Sequence, residues 1–462
     1  MALYSRIVRD FLYPLDRWRT GDILEWKYFR EFDRTQFLPP DQLQQLASER
    51  LRRVVDHAYR RCAFYRRRFD QVGIVPSDIE SASDLQEIPP LEKSDIQQYR
   101  EGMISDGWPL NDLVPNQTGG STGAPIAFCL SHERLWARHA ATRRHDRWAG
   151  HDYGDKSACV WGAPPDRPSN SVKYRLRNLL LDRNLYLDTA NITEKKLRSF
   201  DVAMKKFRPK TIIAYARSLA LLARFVKANG ITPFQPHSII TSAEVLTPND
   251  RHLIEEVFGC RVFNRYGCRE FSVVASECSE HDGLHTMAEG LHVEVVRGDR
   301  PAKPGEVGEI LVTDLINLAM PMIRYRIGDM AVHETAPCAC GRALPRLKSI
   351  EGRVTDFLVG TDGRLVSGVF LTTYVIAHRP SLGQVQLWQE APGRVLFRLA
   401  PPDGKPPAQA DIEFLQSQTR RYLGSTTQVD YELCDEIEPE ASGKFLFCRS
   451  SAACDYVETR TI

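Results

Sequence analysis

Short β-type runs alternate with helix-type segments between residues 100 and 350. Runs rich in β-branched and aromatic residues predict buried strands at residues 158–161, 211–214, 239–241 and 261–263. Segments of helical character lie between them, at residues 219–227 and 250–258. This alternation is typical of an α/β sheet with helices packed against it.

The pattern differs on either side of this region. Before it, apolar positions recur at helical spacing, at Leu46, Leu51, Val54, Val55, Ala58, Cys62 and Tyr65. Around residues 300–325 the pattern becomes β-type, and residues 384–399 alternate as antiparallel strands do. The expected fold class is therefore α/β and α+β, with a large first domain of mixed sheets and helices, a small β-region, and a smaller α+β segment from about residue 355.

Charge and composition exclude several classes of function. Of the 462 residues, 61 are basic and 59 acidic, which leaves a net charge of +2 and no global field to collect nucleic acid. The 11 cysteines are scattered, which favours reduced thiols. No stretch reads as a secretory signal or reaches the roughly 18 apolar residues of a membrane span. We therefore expect a soluble cytoplasmic protein that binds no nucleic acid.

Two charged segments each have two interpretations. One set of arginines either binds an anionic partner or forms a solvated helix face: Arg52, Arg53, Arg60, Arg61 and Arg66 to Arg68. The amphipathic start of the chain sets Ile7, Val8, Phe11 and Leu12 against arginines. That segment either packs on the protein or contacts a membrane or a partner.

Glycine and hydroxyl residues are concentrated in the run Thr118–Pro125, which reads TGGSTGAP. Glycines let backbone N–H groups converge on an anion, and hydroxyls add donors, so the run suits a phosphate-binding loop. It is not a Walker loop, because no Gly-Lys-Ser/Thr follows at the required spacing. Taken alone, such a run is also typical of an ordinary turn.

Four further motifs follow in chain order: Tyr266–Glu270 (YGCRE), Tyr325–Asp329 (YRIGD), Gly352-Arg353 and Ser442–Lys444 (SGK). The segment Pro89–Ile96 (PPLEKSDI) precedes the glycine run. Together these motifs, spread over roughly residues 50–450, resemble the adenylate-forming ligase superfamily. Within it the chain resembles the phenylacetate-CoA ligase and capsule-polysaccharide-biosynthesis branch.

The resemblance implies a two-step reaction. Such enzymes join a carboxylate to the α-phosphate of ATP, expel pyrophosphate, and pass the acyl group to a thiol or an amine. The implied cofactors are ATP, Mg²⁺ and, as the most plausible acceptor, coenzyme A. An anionic acid must approach an anionic phosphate, so cations and N–H donors are needed where charge accumulates.

The resemblance also assigns roles to single residues. The implied ATP- or AMP-binding residues are Thr118, Gly119, Gly120, Ser121, Thr122, Gly123, Ser242, Ala243, Glu244, Asn264, Arg265, Tyr266, Gly267, Asp329 and Arg353. Within this set Tyr266 stacks on adenine and Asp329 binds the ribose hydroxyls. Glu270 holds Mg²⁺, and Lys444 serves adenylation and then leaves the site, so these two are the implied catalytic residues.

Residues 1–353 are the expected ATP- and acid-binding domain, and residues 354–462 the expected mobile domain. The hinge is expected in residues 354–356, where Thr355 replaces one of the two acids that relatives carry. Ile126 stands where many superfamily members place a lysine after the glycine run. That replacement removes a charge that would face a phosphate.

A second set of residues suits a metal. Cys278, His281, His285, Cys338 and Cys340 supply the sulfur and imidazole donors that structural zinc prefers, although free core thiols and a surface histidine are the alternative. Branch members with a Cys-x-Cys-Gly-Arg turn and a Gly-Leu-His segment resemble zinc binders. By that resemblance the implied Zn²⁺ ligands are Cys278, His285, Cys338 and Cys340. Cys268 is not expected to be a nucleophile, because adenylation needs none.

The expected function is activation of a small carboxylic acid and its transfer to coenzyme A. Trp161 and Tyr215 would suit an aromatic acid if they line its pocket, and they would equally suit a plain hydrophobic core. The alternatives are transfer to an amine and a non-catalytic nucleotide-binding homologue. A degenerate scaffold would have lost at least one of the polar motif residues, and all four are present: Glu270, Asp329, Arg353 and Lys444. The expected partners are thus the acid and a thiol or amine acceptor, and a homodimer is left open.

Overall fold

The computed structural model of the chain describes residues 2–118, 126–161, 171–189, 193–244, 246–297, 300–350, 357–362, 365–367, 371, 376, 379–437 and 448–450. These residues separate into two compact units. The first lies within residues 1–118, 126–153 and 263–352. The second lies within residues 154–262 and 353–462. The expected division at residues 353 and 354 stays a prediction, as does the hinge, because residues 351–356 lie outside the described residues.

The α-helices have these bounds: α1 (Ala2–Ile7), α2 (Tyr13–Thr20), α3 (Leu24–Thr35), α4 (Pro40–Arg61), α5 (Ala63–Val72), α6 (Lys93–Met103), α7 (His132–Trp148), α8 (Val172–Arg177), α9 (Glu194–Phe207), α10 (Ala216–Ala228), α11 (Pro248–Phe258) and α12 (Gln409–Leu423). A π turn at Val8–Leu12 joins α1 to α2, and another at Asn178–Asp182 extends α8. The helical pattern predicted from Leu46 to Tyr65 is confirmed: these residues lie in α4 and α5, with a break at Cys62 between the two helices.

The strands have these bounds: β1 (Leu113–Gln117), β2 (Ala127–Ser131), β3 (Ser157–Trp161), β4 (Asn184–Asp188), β5 (Thr211–Tyr215), β6 (Ser238–Ser242), β7 (Val262–Cys268), β8 (Ser272–Glu277), β9 (Leu284–Thr286), β10 (Leu291–Arg297), β11 (Arg300–Pro301), β12 (Val307–Asp314), β13 (Tyr325–Glu334), β14 (Arg346–Ile350), β15 (Phe357–Val359), β16 (Leu365–Ser367), β17 (Gln384–Gln389), β18 (Arg394–Ala400), β19 (Gln428–Leu433) and β20 (Cys448–Ser450).

An antiparallel sheet organises the first unit. Its strands pair in the order β11-β10-β12-β13-β14-β9-β8-β7. Strands β1 and β2 form a separate antiparallel pair. Helices α3 to α7 share a hydrophobic core with these strands, and that core includes the buried side chains Phe32, Val54, Phe69, Phe128 and Phe271. The sheet matters for function because β7 and β13 carry two of the sequence motifs.

The second unit contains a parallel sheet in the order β4-β3-β5-β6. Helices α9, α10 and α11 pack on it through side chains such as Leu197, Phe225 and Ile254. Later in the chain, β17 and β18 pair antiparallel, and β20 and β19 pair parallel to them on either side. Helix α12 packs on that smaller sheet through Ile412 and Leu415.

The fold class predicted from the sequence is confirmed. The runs predicted as strands at residues 158–161, 211–214 and 239–241 are β3, β5 and β6, and the segments between them are helices. The β-type pattern after residue 300 corresponds to β12 and β13, and the alternation at residues 384–399 corresponds to the β17–β18 pair. Because the hydrophobic period differs between strand and helix, these elements could be predicted locally.

The arginines of α4 and α5 mostly contact neighbouring residues of the same unit. Arg60 pairs with Asp56, and Arg68 pairs with Asp95. Arg52 and Arg66 donate to backbone carbonyl groups. These contacts favour the interpretation as a helix surface over the interpretation as an anion-binding cluster.

One buried ion pair fixes α7 against α3 in the first unit. Arg144 Nη1 lies 2.6 Å from Glu289 Oε1, and both side chains are 0% exposed. The hydroxyl of Thr35 donates to the same carboxylate oxygen at 2.7 Å, and Arg144 also donates to the carbonyl oxygen of Phe32 at 3.1 Å. A buried charge is tolerated only while its partner and its hydrogen bonds are present.

We expect Arg144→Met to lower the free energy of unfolding by about 3–5 kcal/mol, because it leaves the Glu289 carboxylate buried without its counter-charge. Arg198→Met is the matched control, since the Arg198–Glu194 pair on α9 has side chains 49% and 54% exposed. Its expected cost is below about 1 kcal/mol. Denaturant unfolding followed by circular dichroism measures both, and equal costs for the two variants would contradict the assigned role.

Candidate active site

Two motifs, each with a tyrosine and an acid four residues apart, exchange hydrogen bonds in the first unit. The hydroxyl of Tyr266 donates to Asp329 Oδ2 at 2.8 Å. The hydroxyl of Tyr325 donates to Glu270 Oε1 at 3.1 Å. The tyrosine of each motif therefore binds the carboxylate of the other. This exchange brings the implied ribose-binding and Mg²⁺-binding acids to one place.

The two carboxylates differ in exposure. Glu270 is 9% exposed and Tyr325 is 2% exposed, so this pair is held in the interior. Asp329 and Tyr266 are only half-buried, so the second pair is accessible to a ligand. A hydrogen bond from a hydroxyl group orients the carboxylate that accepts it, so the carboxylate meets each ligand in the same orientation.

A tight turn places Glu270 between β7 and β8. The pairing of these strands shifts register at Tyr266 and Gly267. A Cβ atom on Gly267 would lie 2.2 Å from the carbonyl oxygen of Ser272, so any other residue would collide with the backbone. Ser272 itself has a φ of 66°. The glycine of the YGCRE motif is thus required by the close approach of two strands.

Two buried arginines of α7 hold the same turn. Arg138 donates to the carbonyl oxygen of Arg269, and Arg134 donates to that of Phe271 at 3.3 Å. Arg134 also forms a 2.5 Å ion pair with Asp314. Burial lowers the pKa of Arg138 to about 9, with the positive charge of Arg134 adding to the effect. The two arginines are four residues apart in sequence, so their side chains lie on one face of the helix.

Sequence reasoning did not identify Arg134 and Arg138 as site residues. Arginine is usually solvent-exposed, so their spacing of four residues gives no signal of burial in the sequence alone. The role of Tyr325 was missed as well, although it opens a motif that had been singled out. Its signal was the matching tyrosine-to-acid spacing in both motifs.

The Cys268 thiol lies inside this site. Burial raises its pKa well above the ordinary value, and the nearby Glu270 carboxylate raises it further. A thiol of this kind stays protonated at neutral pH and is a poor nucleophile. Its environment agrees with the expectation that Cys268 does no covalent chemistry.

Thr118 and Ile126, on either side of the glycine run in the sequence, are joined by two hydrogen bonds. The Oγ1 of Thr118 accepts from the backbone N–H of Ile126 at 3.0 Å, and the N–H of Thr118 donates to the carbonyl oxygen of Ile126 at 3.0 Å. The side chain of Ile126 is fully buried, so this position contributes to the core. Gly119, Gly120, Ser121, Thr122 and Gly123 lie outside the described residues, as do Arg353 and Lys444.

Asn264 and Arg265 precede the tyrosine on β7. The backbone N–H of Asn264 donates to Glu277 Oε2 at 2.9 Å. The guanidinium of Arg265 forms an ion pair with Asp146 of α7. Their role in binding the nucleotide stays a prediction.

The remaining predicted positions lie in the second unit. Ser242 is the last residue of β6, and Ala243 and Glu244 follow it, at the carboxyl end of the strand, a usual place for ligand-binding residues in a parallel sheet. Ala243 has a φ of 68°, a strained value for a residue with a Cβ atom. In the same unit the rings of Trp161 and Tyr215 lie 4.0 Å apart between centroids.

A second cluster of the first unit contains the four implied zinc ligands. The ligand atoms of Cys278, His285, Cys338 and Cys340 all lie within 4.8 Å of one another. The sulfurs of Cys278 and Cys338 are 3.7 Å apart, and Cys340 Sγ is 3.3 Å from His285 Nε2. In a tetrahedral Zn²⁺ site with Zn–S bonds near 2.3 Å, two sulfurs are about 3.8 Å apart.

The surroundings of His285 also suit a metal ligand. Its Nδ1 lies 3.1 Å from the carbonyl oxygen of Leu344, which leaves Nε2 directed at the cysteines. Burial lowers the pKa of His285 to about 4, so the imidazole is neutral at pH 7. His281, the fifth candidate donor, is outside this cluster and lies 3.2 Å from Glu277.

Sequence comparison identifies two kinds of relative. The chain is 27% identical over 343 residues to phenylacetate-coenzyme A ligase of Thermus thermophilus, covering 70% of this chain and 73% of the relative. It is 29% identical to the ligase of the same name from Pseudomonas putida, covering 69% and 72%. It is 24% identical to protein CapK of Staphylococcus aureus, covering 79% and 80%. No protein-family model matches the sequence.

Solved structures agree on the fold. A 2-hydroxyisobutyryl-CoA ligase in complex with 2-HIB-AMP and CoA matches with a TM-score of 0.63 at 19% identity, covering 90% of this chain and 92% of that one. The same ligase in its postadenylation state matches with a TM-score of 0.59 at 18% identity, covering 90% and 91%. The resemblance read from the motifs is thus confirmed, and the chain has the fold of adenylate-forming acyl-CoA ligases.

We expect Gly267→Ala to destabilise the fold by about 1–3 kcal/mol, because the new methyl group collides with the Ser272 carbonyl oxygen. Gly102→Ala on α6 is the matched control, since a Cβ there would lie 3.6 Å from its nearest neighbour, the backbone nitrogen of Phe64. Its effect should be neutral or slightly stabilising. Thermal unfolding measures both, and an unchanged melting temperature for Gly267→Ala would contradict the close approach.

Proposed function

We propose that the chain is an AMP-forming acid ligase. It activates a small carboxylic acid with ATP, releases pyrophosphate, and transfers the acyl group from the acyl-adenylate to coenzyme A. One structural observation carries the proposal: the exchange of hydrogen bonds between the YGCRE and YRIGD motifs. The names and coverage of the sequence relatives support the same reaction.

The residues of the five motifs, together with Ser242–Glu244, suit the first half-reaction. The charged acceptor Asp329 binds the two ribose hydroxyls, and Tyr266 covers the adenine while its hydroxyl orients Asp329. The run after Thr118 offers N–H groups to the β- and γ-phosphates. Lys444 stabilises the charge that builds up between carboxylate and α-phosphate, and Arg353 contacts the ribose or the phosphate. Ser242–Glu244 line the edge of the adenine.

Glu270 is the proposed Mg²⁺ ligand. Its carboxylate offers hard oxygens, and Tyr325 fixes one of them in direction. Bound there, Mg²⁺ would neutralise part of the polyphosphate charge. Arg134 and Arg138 bind the carbonyl groups of the turn, and these contacts hold the Glu270 carboxylate in position.

We also propose a structural zinc site at Cys278, His285, Cys338 and Cys340. Sulfur and imidazole donors at these separations match tetrahedral zinc, and four protein ligands leave no open position for catalysis. The site would join the end of β8, strand β9 and the turn before β14. Its metal would therefore stabilise the β-region that carries both motifs.

Two alternatives to this reaction stay open. An amine could capture the same adenylate, which would make the chain an amide ligase. A non-catalytic nucleotide-binding protein is the other alternative, although the described acids Glu270 and Asp329 keep their partners, which favours an enzyme. A homodimer stays a prediction.

The acceptor is tested by AMP release with a panel of small aromatic and aliphatic acids, with and without coenzyme A. We expect release to depend on the acid and to accelerate with coenzyme A. In the same assay Asp329→Ala should lower kcat/KM for ATP by about 10- to 100-fold, because hydrogen bonds to a charged acceptor are lost. Glu49→Ala, an exposed acid of α4, should have no effect.

Acceleration by amines but not by coenzyme A would replace the thioester product with an amide. Equal ATP kinetics for Asp329→Ala and the wild type would remove the ribose assignment. Absence of AMP release with every acid would favour the non-catalytic alternative.

The zinc proposal has its own test, independent of activity. Mass spectrometry of the metal content should find about one zinc per chain in protein purified without chelators. Cys340→Ser should lose most of that zinc and unfold at a lower temperature, whereas Cys434→Ser, a cysteine outside the cluster, should keep it. Wild-type protein free of zinc would contradict the site.

A further inference from the structure

A row of large apolar side chains is exposed on the helical segment of residues 2–20. This segment consists of α1, the π turn Val8–Leu12 and α2. The exposed fractions are 72% for Leu3, 38% for Ile7, 70% for Phe11, 59% for Leu15 and 70% for Trp18. These five side chains form an apolar stripe. Contiguous exposed apolar surface usually marks an interaction site.

The π turn keeps the stripe straight. Its members are spaced mostly four residues apart, and in an α-helix of 3.6 residues per turn such a row drifts around the axis. A π turn holds more residues per turn, and here it lies between Ile7 and Tyr13. The drift is therefore reduced at the centre of the segment, and the five side chains share one face.

The opposite face anchors the segment to the first unit. Val8 is 0% exposed and Tyr13 is 6% exposed, and the ring of Tyr13 lies 3.8 Å from that of Tyr153. Arg17 pairs with the buried Glu25 at 3.2 Å, and its guanidinium lies over the Trp136 ring. Residues 2–20 are thus a docked helix with one face buried and the other directed to solvent.

The charges beside the stripe are mainly positive. Arg6 is exposed, and the Arg19 side chain is 72% exposed. Arg9 is 37% exposed and pairs with Asp10, which is 46% exposed, and Arg19 pairs at 3.4 Å with Asp16, which is only 11% exposed. The solvent-facing side therefore combines aromatic and aliphatic side chains with arginines that can reach past them to anionic head groups.

We infer that the apolar stripe binds the surface of an anionic phospholipid bilayer. A helix face that exposes Trp, Phe and Leu side chains and carries arginines beside them matches the interface between acyl chains and anionic head groups. No helix in the described part of the chain is long and apolar enough to cross a bilayer, so the contact is with the membrane surface. The inference is independent of the reaction proposed above.

The test is co-sedimentation of the full-length protein with vesicles. Phosphatidylcholine vesicles containing phosphatidylglycerol should bind the wild type, and pure phosphatidylcholine vesicles should bind it more weakly. The triple variant Phe11→Ser, Leu15→Ser, Trp18→Ser should bind the anionic vesicles at least about tenfold more weakly, because it loses three apolar contacts with the bilayer. Arg6→Glu with Arg19→Glu should weaken binding to anionic vesicles only.

Leu110→Ser with Val202→Ser is the matched control, since these side chains are 83% and 65% exposed outside the stripe. It should bind vesicles like the wild type. All substituted side chains are exposed, so folding and AMP release should be unchanged.

Two results would overturn the inference. One is equal vesicle binding by the wild type and the stripe variant. The other is a wild type that does not bind vesicles but has a larger mass than the stripe variant by light scattering. That result would assign the stripe to self-association.

Discussion

The exchange of hydrogen bonds between two tyrosines and two carboxylates is the interaction on which the proposed active site depends. Tyr266 binds Asp329, and Tyr325 binds Glu270. Neither motif alone would fix its acid, because the orienting hydroxyl comes from a different strand. The exchange therefore requires β7, the following turn and β13 to be in their native positions. Site geometry is in this way coupled to the fold of the antiparallel sheet.

Several local features support that geometry. Gly267 allows two strands to approach more closely than any other residue would permit. The buried arginines of α7 bind the carbonyl groups of the turn. Farther along the sheet, Cys278, His285, Cys338 and Cys340 lie close together, where the proposed zinc would join the strand ends. The site is held by contacts from several elements, as preorganised electrostatic catalysis requires.

The sequence predicted the elements and the motif residues better than the contacts among them. Strands β3, β5 and β6 could be predicted because their apolar runs are local, and the acids could be predicted because the motifs are short. The pairing of Tyr325 with Glu270 spans 55 residues and depends on strand order, which periodicity does not specify. The burial of Arg134, Arg138 and Arg144 was also missed. An arginine is placed in the interior by a partner distant in sequence, such as Asp314 or Glu289.

The most direct measurement of the central claim is acid-dependent exchange of pyrophosphate into ATP, compared over a range of Mg²⁺ concentrations for the wild type and Tyr325→Phe. The account predicts exchange by the wild type with at least one acid. It also predicts that the variant, whose Glu270 has lost its orienting hydroxyl, needs more Mg²⁺ to reach the same rate. Absence of exchange with every acid, or identical Mg²⁺ dependence of the two proteins, would contradict it.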